Sequence, residues 1–141
     1  MNKKIKKSPE DDFYQIKDTN PNKISEDKMF RIHNTREILL KRKIYILLIN
    51  MGFSTKYKGF SYLLDSIKYI IERGCIEASL SKEIYESVAC SYGTLAKTVE
   101  INIRNLIKCA WENGKISNSN FKCRPSNGAF IFYVVEHIFA E

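Results

Sequence analysis

Polar and basic side chains recur at helical spacing between residues 95 and 113, where they could contact a nucleic acid. At about 100° per residue, one side of this segment collects mostly cationic and hydrogen-bonding groups: Lys97, Thr98, Ile101, Arg104, Asn105 and Lys108, with Glu100 and Asn102 at its edges. Lysine and arginine bind phosphates, and several polar side chains can hydrogen-bond base edges in the major groove. The pattern predicts a helix that reads double-stranded DNA, although an ordinary solvated amphipathic helix has the same division of faces.

Ile101 is the exception on this face. It sits near the middle of the polar side, where exposure to water brings no gain. A single exposed isoleucine is common in soluble proteins. It becomes meaningful if the face meets something apolar, such as a thymine methyl group or a partner protein.

Side chains suited to catalysis or metal binding form no recognisable set. The cysteines contain no C-x-x-C pair, and both histidines lie far from them in the sequence; these residues are Cys75, Cys90, Cys109, Cys123, His33 and His137. A zinc site normally has closer paired ligands. No Ser/His/Asp or Cys/His set, paired carboxylates or phosphate-cradling glycine loop is visible. We expect that the protein is not an enzyme and has no cofactor or metal site. We also expect its cysteines to be reduced and mostly buried.

Length and charge favour one small domain with a polyanionic partner. The chain has 141 residues, a formal net charge of +7 and a pI near 9.2, which favours nucleic acid as the partner. Its longest apolar run, residues 44–49, is too short to span a bilayer. No apolar segment follows the N-terminal lysines as it would in a signal peptide. We therefore expect a cytoplasmic protein with no membrane contact.

The chain divides into a charged tail and a helical domain. Residues 1–32 are rich in Lys, Asp, Glu, Asn, Pro and Ser, with too little apolar surface to offset the entropy of ordering them, so a flexible tail is predicted. Residues 33–141 predict an all-α domain of about five or six helices. The predicted helices begin at Asn34 or Thr35, near Gly59, after Ser81, near Leu95 and after Asn127. Helical periodicity predicts inward faces for the first and the last of them: Ile38, Leu39, Ile44, Leu47, Leu48 and Met51 in the first, and Phe130, Ile131, Val134, Val135, Ile138 and Phe139 in the last.

The third and fourth of these helices fit a helix-turn-helix at about residues 81–114. Residues 81–91 and 95–113 are separated by Tyr92-Gly93-Thr94, a short turn that contains glycine. Thr94 is the predicted N-cap of the second helix. The side of that helix opposite the polar face is apolar and should face the core; it consists of Ala96, Val99, Ile103, Leu106, Ile107 and Ala110, with Trp111 at its edge.

Several segments, in order, are similar to one known family. They are Gly52, Lys58-Gly59-Phe60-x-Tyr62-Leu63, Tyr85-x-x-Val88-Ala89, Thr94-x-Ala96-x-x-Val99-Glu100-x-x-Ile103-Arg104, Ile107-x-x-Ala110-Trp111-x-x-Gly114 and Pro125-Ser126-Asn127-x-x-Phe130-Ile131. From about Ile44 onward the chain resembles the C-terminal DNA-binding effector domain of the stage-zero sporulation response regulator of endospore-forming Firmicutes. The resemblance implies a helical domain that binds promoter DNA, often as tandem dimers, to activate or repress transcription.

The resemblance also implies residue roles. Thr98, Glu100 and Ile101 fall where the family reads bases, and Arg104 and Asn105 fall where it also holds the backbone. Glu100 and Arg104 match the family's residue types, whereas the family has arginine at positions 98 and 101. Because arginine is the usual bidentate reader of guanine, these two departures predict a relaxed or changed base preference.

A further departure concerns the N-terminus. The family's full-length regulator carries an N-terminal phosphoacceptor receiver domain of doubly wound α/β type. Residues 1–40 show no strand–helix alternation and are too few for such a domain. We therefore expect a chain without that domain and without control by its phosphorylation.

Three functions are compatible with these features. The first is a transcription regulator that binds double-stranded promoter DNA, with a homodimer on DNA, the full-length regulator and RNA polymerase as candidate partners. The second is an antagonist that competes with the full-length regulator for sites or forms mixed dimers with it. The third is a protein-binding module that has lost DNA binding and uses the changed helix face, with Ile101 at its centre, as a contact surface.

Overall fold

The computed structural model describes residues 25–74, 80–116 and 120–140. Within these ranges the chain is helical and contains no strand. Five α-helices and one π-helical turn follow one another as α1 (Glu26–Asn50), α2 (Lys58–Arg73), the π turn (Leu80–Ile84), α3 (Tyr85–Tyr92), α4 (Ala96–Glu112) and α5 (Asn127–Ala140). The predicted all-α fold is confirmed. None of the helices in the described ranges is long and apolar enough to cross a membrane.

The first helix begins earlier than the sequence predicted. The side chain of Ser25 accepts a hydrogen bond from the backbone N–H of Lys28, and Glu26 and Asp27 occupy the first turn. A serine N-cap followed by acidic residues stabilises a helix start, because these groups complement the free N–H groups and the positive end of the helix dipole. The predicted start at Asn34 or Thr35 is therefore wrong.

Of the described residues, those up to Arg36 belong to one unit and those from Glu37 onward to a second. Residues 1–24, which include most of the predicted flexible tail, lie outside the described ranges, so the tail and its boundary at residue 32 stay predictions. The second unit contains most of α1, all the later helices and the predicted helix-turn-helix.

One core unites the helices of the second unit. Ile44 and Leu48 of α1, Leu63 and Ile67 of α2, and Phe130 of α5 are fully buried. Phe53, in the α1–α2 connection, packs its ring 5.2 Å from that of Phe130. Ser66 is buried too, and its hydroxyl donates to the backbone oxygen of Tyr62 at 2.7 Å. The core is thus mainly apolar, and the buried hydroxyl of Ser66 has a hydrogen-bond partner.

Three apolar residues that the sequence placed inside are exposed instead. Ile38 and Leu39 of α1 are each 59% exposed, and Phe139 near the end of α5 is 66% exposed. Periodicity predicted an inward face for them, but no other described element covers these positions. Ile44, Leu48 and the predicted inward residues Phe130, Ile131, Val134, Val135 and Ile138 are buried as expected.

A glycine sets how closely α2 approaches α4. The nearest atom to a Cβ built on Gly59 would be the backbone oxygen of Asn102 at 2.4 Å, a distance that real Cβ atoms essentially never show. The two helices therefore pack backbone to backbone at this point. Any side chain at position 59 would push α4 away from α2.

Candidate nucleic-acid interface

Two consecutive helices, α3 and α4, form the centre of the candidate interface. They are packed against each other and joined by Gly93, Thr94 and Leu95. Gly93 has a φ of +64°, and the N–H of Thr94 donates to the oxygen of Ala89 at 3.0 Å. Such a left-handed glycine closes α3 and turns the chain sharply. The arrangement is consistent with the predicted helix-turn-helix.

The start of α4 differs in detail from the prediction. Its N-cap is Leu95, whose backbone oxygen accepts the N–H of Val99 at 3.1 Å, and no side chain caps this end. Thr94 uses its N–H to close the preceding helix, so the predicted Thr94 cap is wrong. The free N–H groups at the start of α4 remain available to solvent or a ligand.

The apolar side of α4 anchors it to the core as predicted. Val99, Ile103, Leu106, Ile107 and Ala110 are buried. Ala96 and Trp111 are partly buried against the same core. This rigid support fixes the direction in which the opposite side of α4 points.

The opposite side carries all seven predicted contact residues. Five are exposed and two are half-buried: the exposed ones are Lys97, Ile101, Arg104, Asn105 and Lys108, and the half-buried ones are Thr98 and Glu100. Ile101 retains 37% of its exposure, near the middle of the face. The face is therefore a mixed cationic and polar surface with one apolar contact at its centre. We call it the outer face of α4.

Glu100 and Arg104 form an ion pair one turn apart on one edge of this face. The Arg104 side chain is more exposed than that of Glu100, at 55% against 35%. The pair holds the guanidinium at the edge of α4. A guanidinium has five N–H donors, so a single carboxylate leaves donors for a further anion.

A cleft that we call the arginine cleft borders this edge of α4. Arg124, Pro125 and Ser126, in the loop before α5, lie opposite Glu100 and Arg104, and Tyr85 of α3 lies at the same cleft. Burial raises the pKa of Tyr85, and a hydrogen bond with Asn127 opposes part of that rise. The Tyr85 hydroxyl is therefore uncharged at neutral pH.

A second cleft, the lysine cleft, borders the other edge. It lies between Asn102 and Asn105 of α4 and the segment Lys56, Tyr57 and Lys58 that leads into α2. Tyr57 is 48% exposed, and the ammonium of Lys56 lies 5.8 Å from the centre of its ring. The outer face of α4 thus has basic residues from a separate segment on each side.

The sequence predicts candidate contacts on α4 but does not indicate that Lys56, Lys58 and Arg124 lie beside this helix. The motifs Lys58-Gly59-Phe60 and Pro125-Ser126-Asn127 serve there only as family signatures. The basic residues within or beside these two motifs were the sequence feature that could have indicated additional basic surface near α4. Their position beside α4 follows from tertiary packing, which helical periodicity does not report.

The thiols differ from the prediction. Cys90, Cys109 and Cys123 are reduced and exposed, so the expected burial is wrong for these three. Cys75 lies outside the described ranges. Among the described residues, no three His, Cys, Asp or Glu side chains cluster as metal ligands would.

A known protein family matches the part of the chain that contains these features. The family described as "Sporulation initiation factor Spo0A C terminal" matches residues 44–138, from the middle of α1 almost to the end of α5. The match covers α2, the helix pair α3–α4 and both clefts. It is a family of DNA-binding effector domains of a sporulation regulator and not an enzyme family. The chain belongs to the family of C-terminal domains of the sporulation initiation factor Spo0A.

Proposed function

We propose that this chain is a sequence-specific transcription regulator that lays the outer face of α4 in the major groove of promoter DNA. The observation that carries the proposal is the exposed cationic and polar face of a helix whose other side is fixed in the core. A major groove about 12 Å wide admits one α-helix. Membership of a DNA-binding family supports the same conclusion.

The position of each residue on the outer face of α4 suggests whether it contacts phosphates or bases. Lys97 and Lys108 lie eleven residues apart, about 16 Å along the helix, so they reach phosphates at separated points. Ile101 lies near the centre of the face and meets a base edge through a thymine methyl group, and Thr98, half-buried at one edge of the face, can hydrogen-bond a base beside it. Arg104 and Asn105, on opposite edges, hold the backbone.

Glu100 has two roles in this proposal. Its carboxylate orients Arg104 through the ion pair, and it can accept a hydrogen bond from the amino group of cytosine. Because Glu100 is half-buried at the edge of the face, it contacts a base only where this edge of α4 lies close to the floor of the groove. Its removal should therefore change base preference more than overall affinity.

A second function has one specific observation in its favour. The 37% exposure of Ile101 would also suit a contact with another protein, such as a second copy or a full-length relative. The surrounding cations Lys97, Arg104 and Lys108 make DNA the better partner for the face as a whole. An antagonist that occupies the same sites needs this same DNA contact.

The test is a fluorescence anisotropy titration with duplexes from a randomised-site selection, at several salt concentrations. Affinity should fall steeply with salt, because phosphate contacts release counterions. The double variant Lys97→Gln/Lys108→Gln should lower the salt slope by about 2, since each phosphate contact contributes about 0.9.

The matched control is Lys41→Gln/Arg42→Gln, which removes the same charge from exposed positions on α1. This control should leave most of the salt slope in place. Equal effects of the two double variants would show that net charge, and not the outer face of α4, governs binding. Absence of binding to any duplex would favour the protein-contact function.

A further inference from the structure

The arginine cleft has a volume of about 570 Å³ and opens beside the outer face of α4. Two of its groups come from α4, one from α3 and three from the loop and start of α5: Glu100, Arg104, Tyr85, Arg124, Ser126 and Asn127. Arg104 belongs both to this cleft and to the outer face. A ligand in the cleft would therefore be continuous with anything bound along α4.

The charges in the cleft favour an anion. Two guanidinium groups, Arg104 and Arg124, line it against one carboxylate, Glu100. Glu100 already pairs with Arg104, whereas Arg124 is exposed on its loop. Guanidinium groups match the geometry of phosphate oxygens and bind them with charge-assisted hydrogen bonds.

The loop that carries Arg124 is fastened directly to α4. The side-chain amide of Asn127 donates to the backbone oxygen of Glu100 at 3.0 Å. The hydroxyl of Ser126 accepts the N–H of Ala129 at 3.1 Å, and Pro125 is buried. These contacts fix the backbone next to Arg124 relative to Arg104. A ligand bound between the two arginines would cost little ordering entropy in the backbone.

We propose that the arginine cleft binds a backbone phosphate of duplex DNA, with Arg124 acting beside Arg104. The inference rests on the proposed function, because the DNA strand must follow the edge of α4 for its phosphate to reach the cleft. Arg124 lies outside the helix pair, so the contact extends the footprint beyond it. This contact positions the protein and carries no base preference.

The decisive experiment compares Arg124→Gln with Lys122→Gln in the full chain. Both variants remove one positive charge from the same exposed loop, but Lys122 does not line the cleft. Arg124→Gln should weaken binding to every duplex by roughly tenfold at moderate salt and lower the salt slope by about 0.9. Lys122→Gln should have less than half of either effect, and Arg124→Lys should keep most of the slope.

Single methylphosphonate substitutions then locate the phosphate. At one backbone position the neutral linkage should weaken wild-type binding but cause no further loss in Arg124→Gln. Circular dichroism melting should be the same for all variants, since Arg124 and Lys122 are exposed.

The results separate the failure of this inference from failure of the proposed function. If the wild type binds duplexes but Arg124→Gln and Lys122→Gln lose the same affinity and salt slope, the assignment of the arginine cleft is wrong and the proposed function stands. Wild-type protein that binds no duplex would overturn both. A perturbation of the Arg124 side-chain N–H resonance by inorganic phosphate, but not by duplex DNA, would make the cleft a small-anion site and overturn the DNA assignment.

Discussion

Ile101→Ala tests whether the centre of the outer face of α4 meets a base. The side chain retains 37% of its exposure, so most of its apolar surface is already covered in the free protein. Complete burial of an exposed isoleucine contributes about 1.5–3 kcal/mol. The exposed part can therefore contribute at most about 0.6–1.1 kcal/mol, which is about a three- to sixfold change in Kd.

The effect should depend on sequence. Anisotropy titrations would compare a selected duplex with one in which each thymine of the site is replaced, in turn, by uracil, which lacks the methyl group. Ile101→Ala should weaken binding to the thymine duplex and leave binding to one uracil duplex unchanged. Ile46→Ala, the same change at an exposed position of α1, is the control and should affect neither.

Three outcomes would contradict a contact between Ile101 and a thymine methyl group. A loss of more than about tenfold would exceed what the exposed area of Ile101 can supply, and would point to a rearrangement of α4. An equal loss on every duplex would show that Ile101 does not meet a thymine methyl group. No loss on any duplex, together with loss of self-association, would place Ile101 in a protein contact. Ile101→Arg provides the converse, because a bidentate contact should favour a site with guanine by about 1–3 kcal/mol.

Three further predictions concern contact roles, packing and pH. Arg104→Ala should weaken binding to all duplexes, whereas Glu100→Ala should mainly change the selected sequence; equal effects of both variants in a randomised-site selection would contradict these roles. Gly59→Ala should lower the free energy of unfolding in urea by about 1–3 kcal/mol, because its Cβ would meet the backbone oxygen of Asn102; an unchanged midpoint would show that α2 and α4 do not pack as described. Tyr92→Phe should reduce the fall in the free energy of unfolding at alkaline pH. Desolvation and a hydrogen bond to a carboxylate raise the pKa of Tyr92 from 10.0 to about 12. The contribution of Tyr92 to the free energy of unfolding is therefore complete below about pH 10 and is lost as pH rises toward about 12. In urea unfolding between about pH 8 and about pH 11, the free energies of unfolding of the wild type and of Tyr92→Phe should converge as pH rises. A constant difference between them would contradict the raised pKa of Tyr92.

The sequence predicted α4 well because its two faces differ in chemistry. Val99, Ile103 and Ile107 recur at helical spacing with polar residues between them, so both the buried side and the exposed side could be assigned. Gly93 and Gly114 have positive φ values and bound the helix on each side, in keeping with the turn signals at these positions.

The sequence predicted α1 less well, for two physical reasons. Apolar residues occur around much of this helix, so periodicity could not show that Ile38 and Leu39 face away from the core. The early start coincides with a side-chain hydrogen bond at Ser25, in a segment whose composition predicted a flexible tail. A local cap can extend a helix into such a segment without any buried contact.

The clefts beside α4 could not be predicted from local pattern. Arg124 lies twenty residues after Arg104 in the sequence, yet both line one cleft, at which Asn127 bonds to the backbone of α4. The lysine cleft depends likewise on the close backbone approach at Gly59. Both are consequences of tertiary packing, and both widen the basic surface that surrounds the predicted recognition helix.

The most direct test of the central claim is to map a selected duplex onto the protein by backbone amide NMR. The largest shifts should fall on residues 97–108 of α4, with smaller shifts in the segments around Lys56 and Arg124. The amide resonances of the residues around Ile38 and Ile46, which are exposed on α1, should not shift. Shifts confined to α1, or no response to any duplex at low salt, would contradict the claim that the outer face of α4 binds DNA.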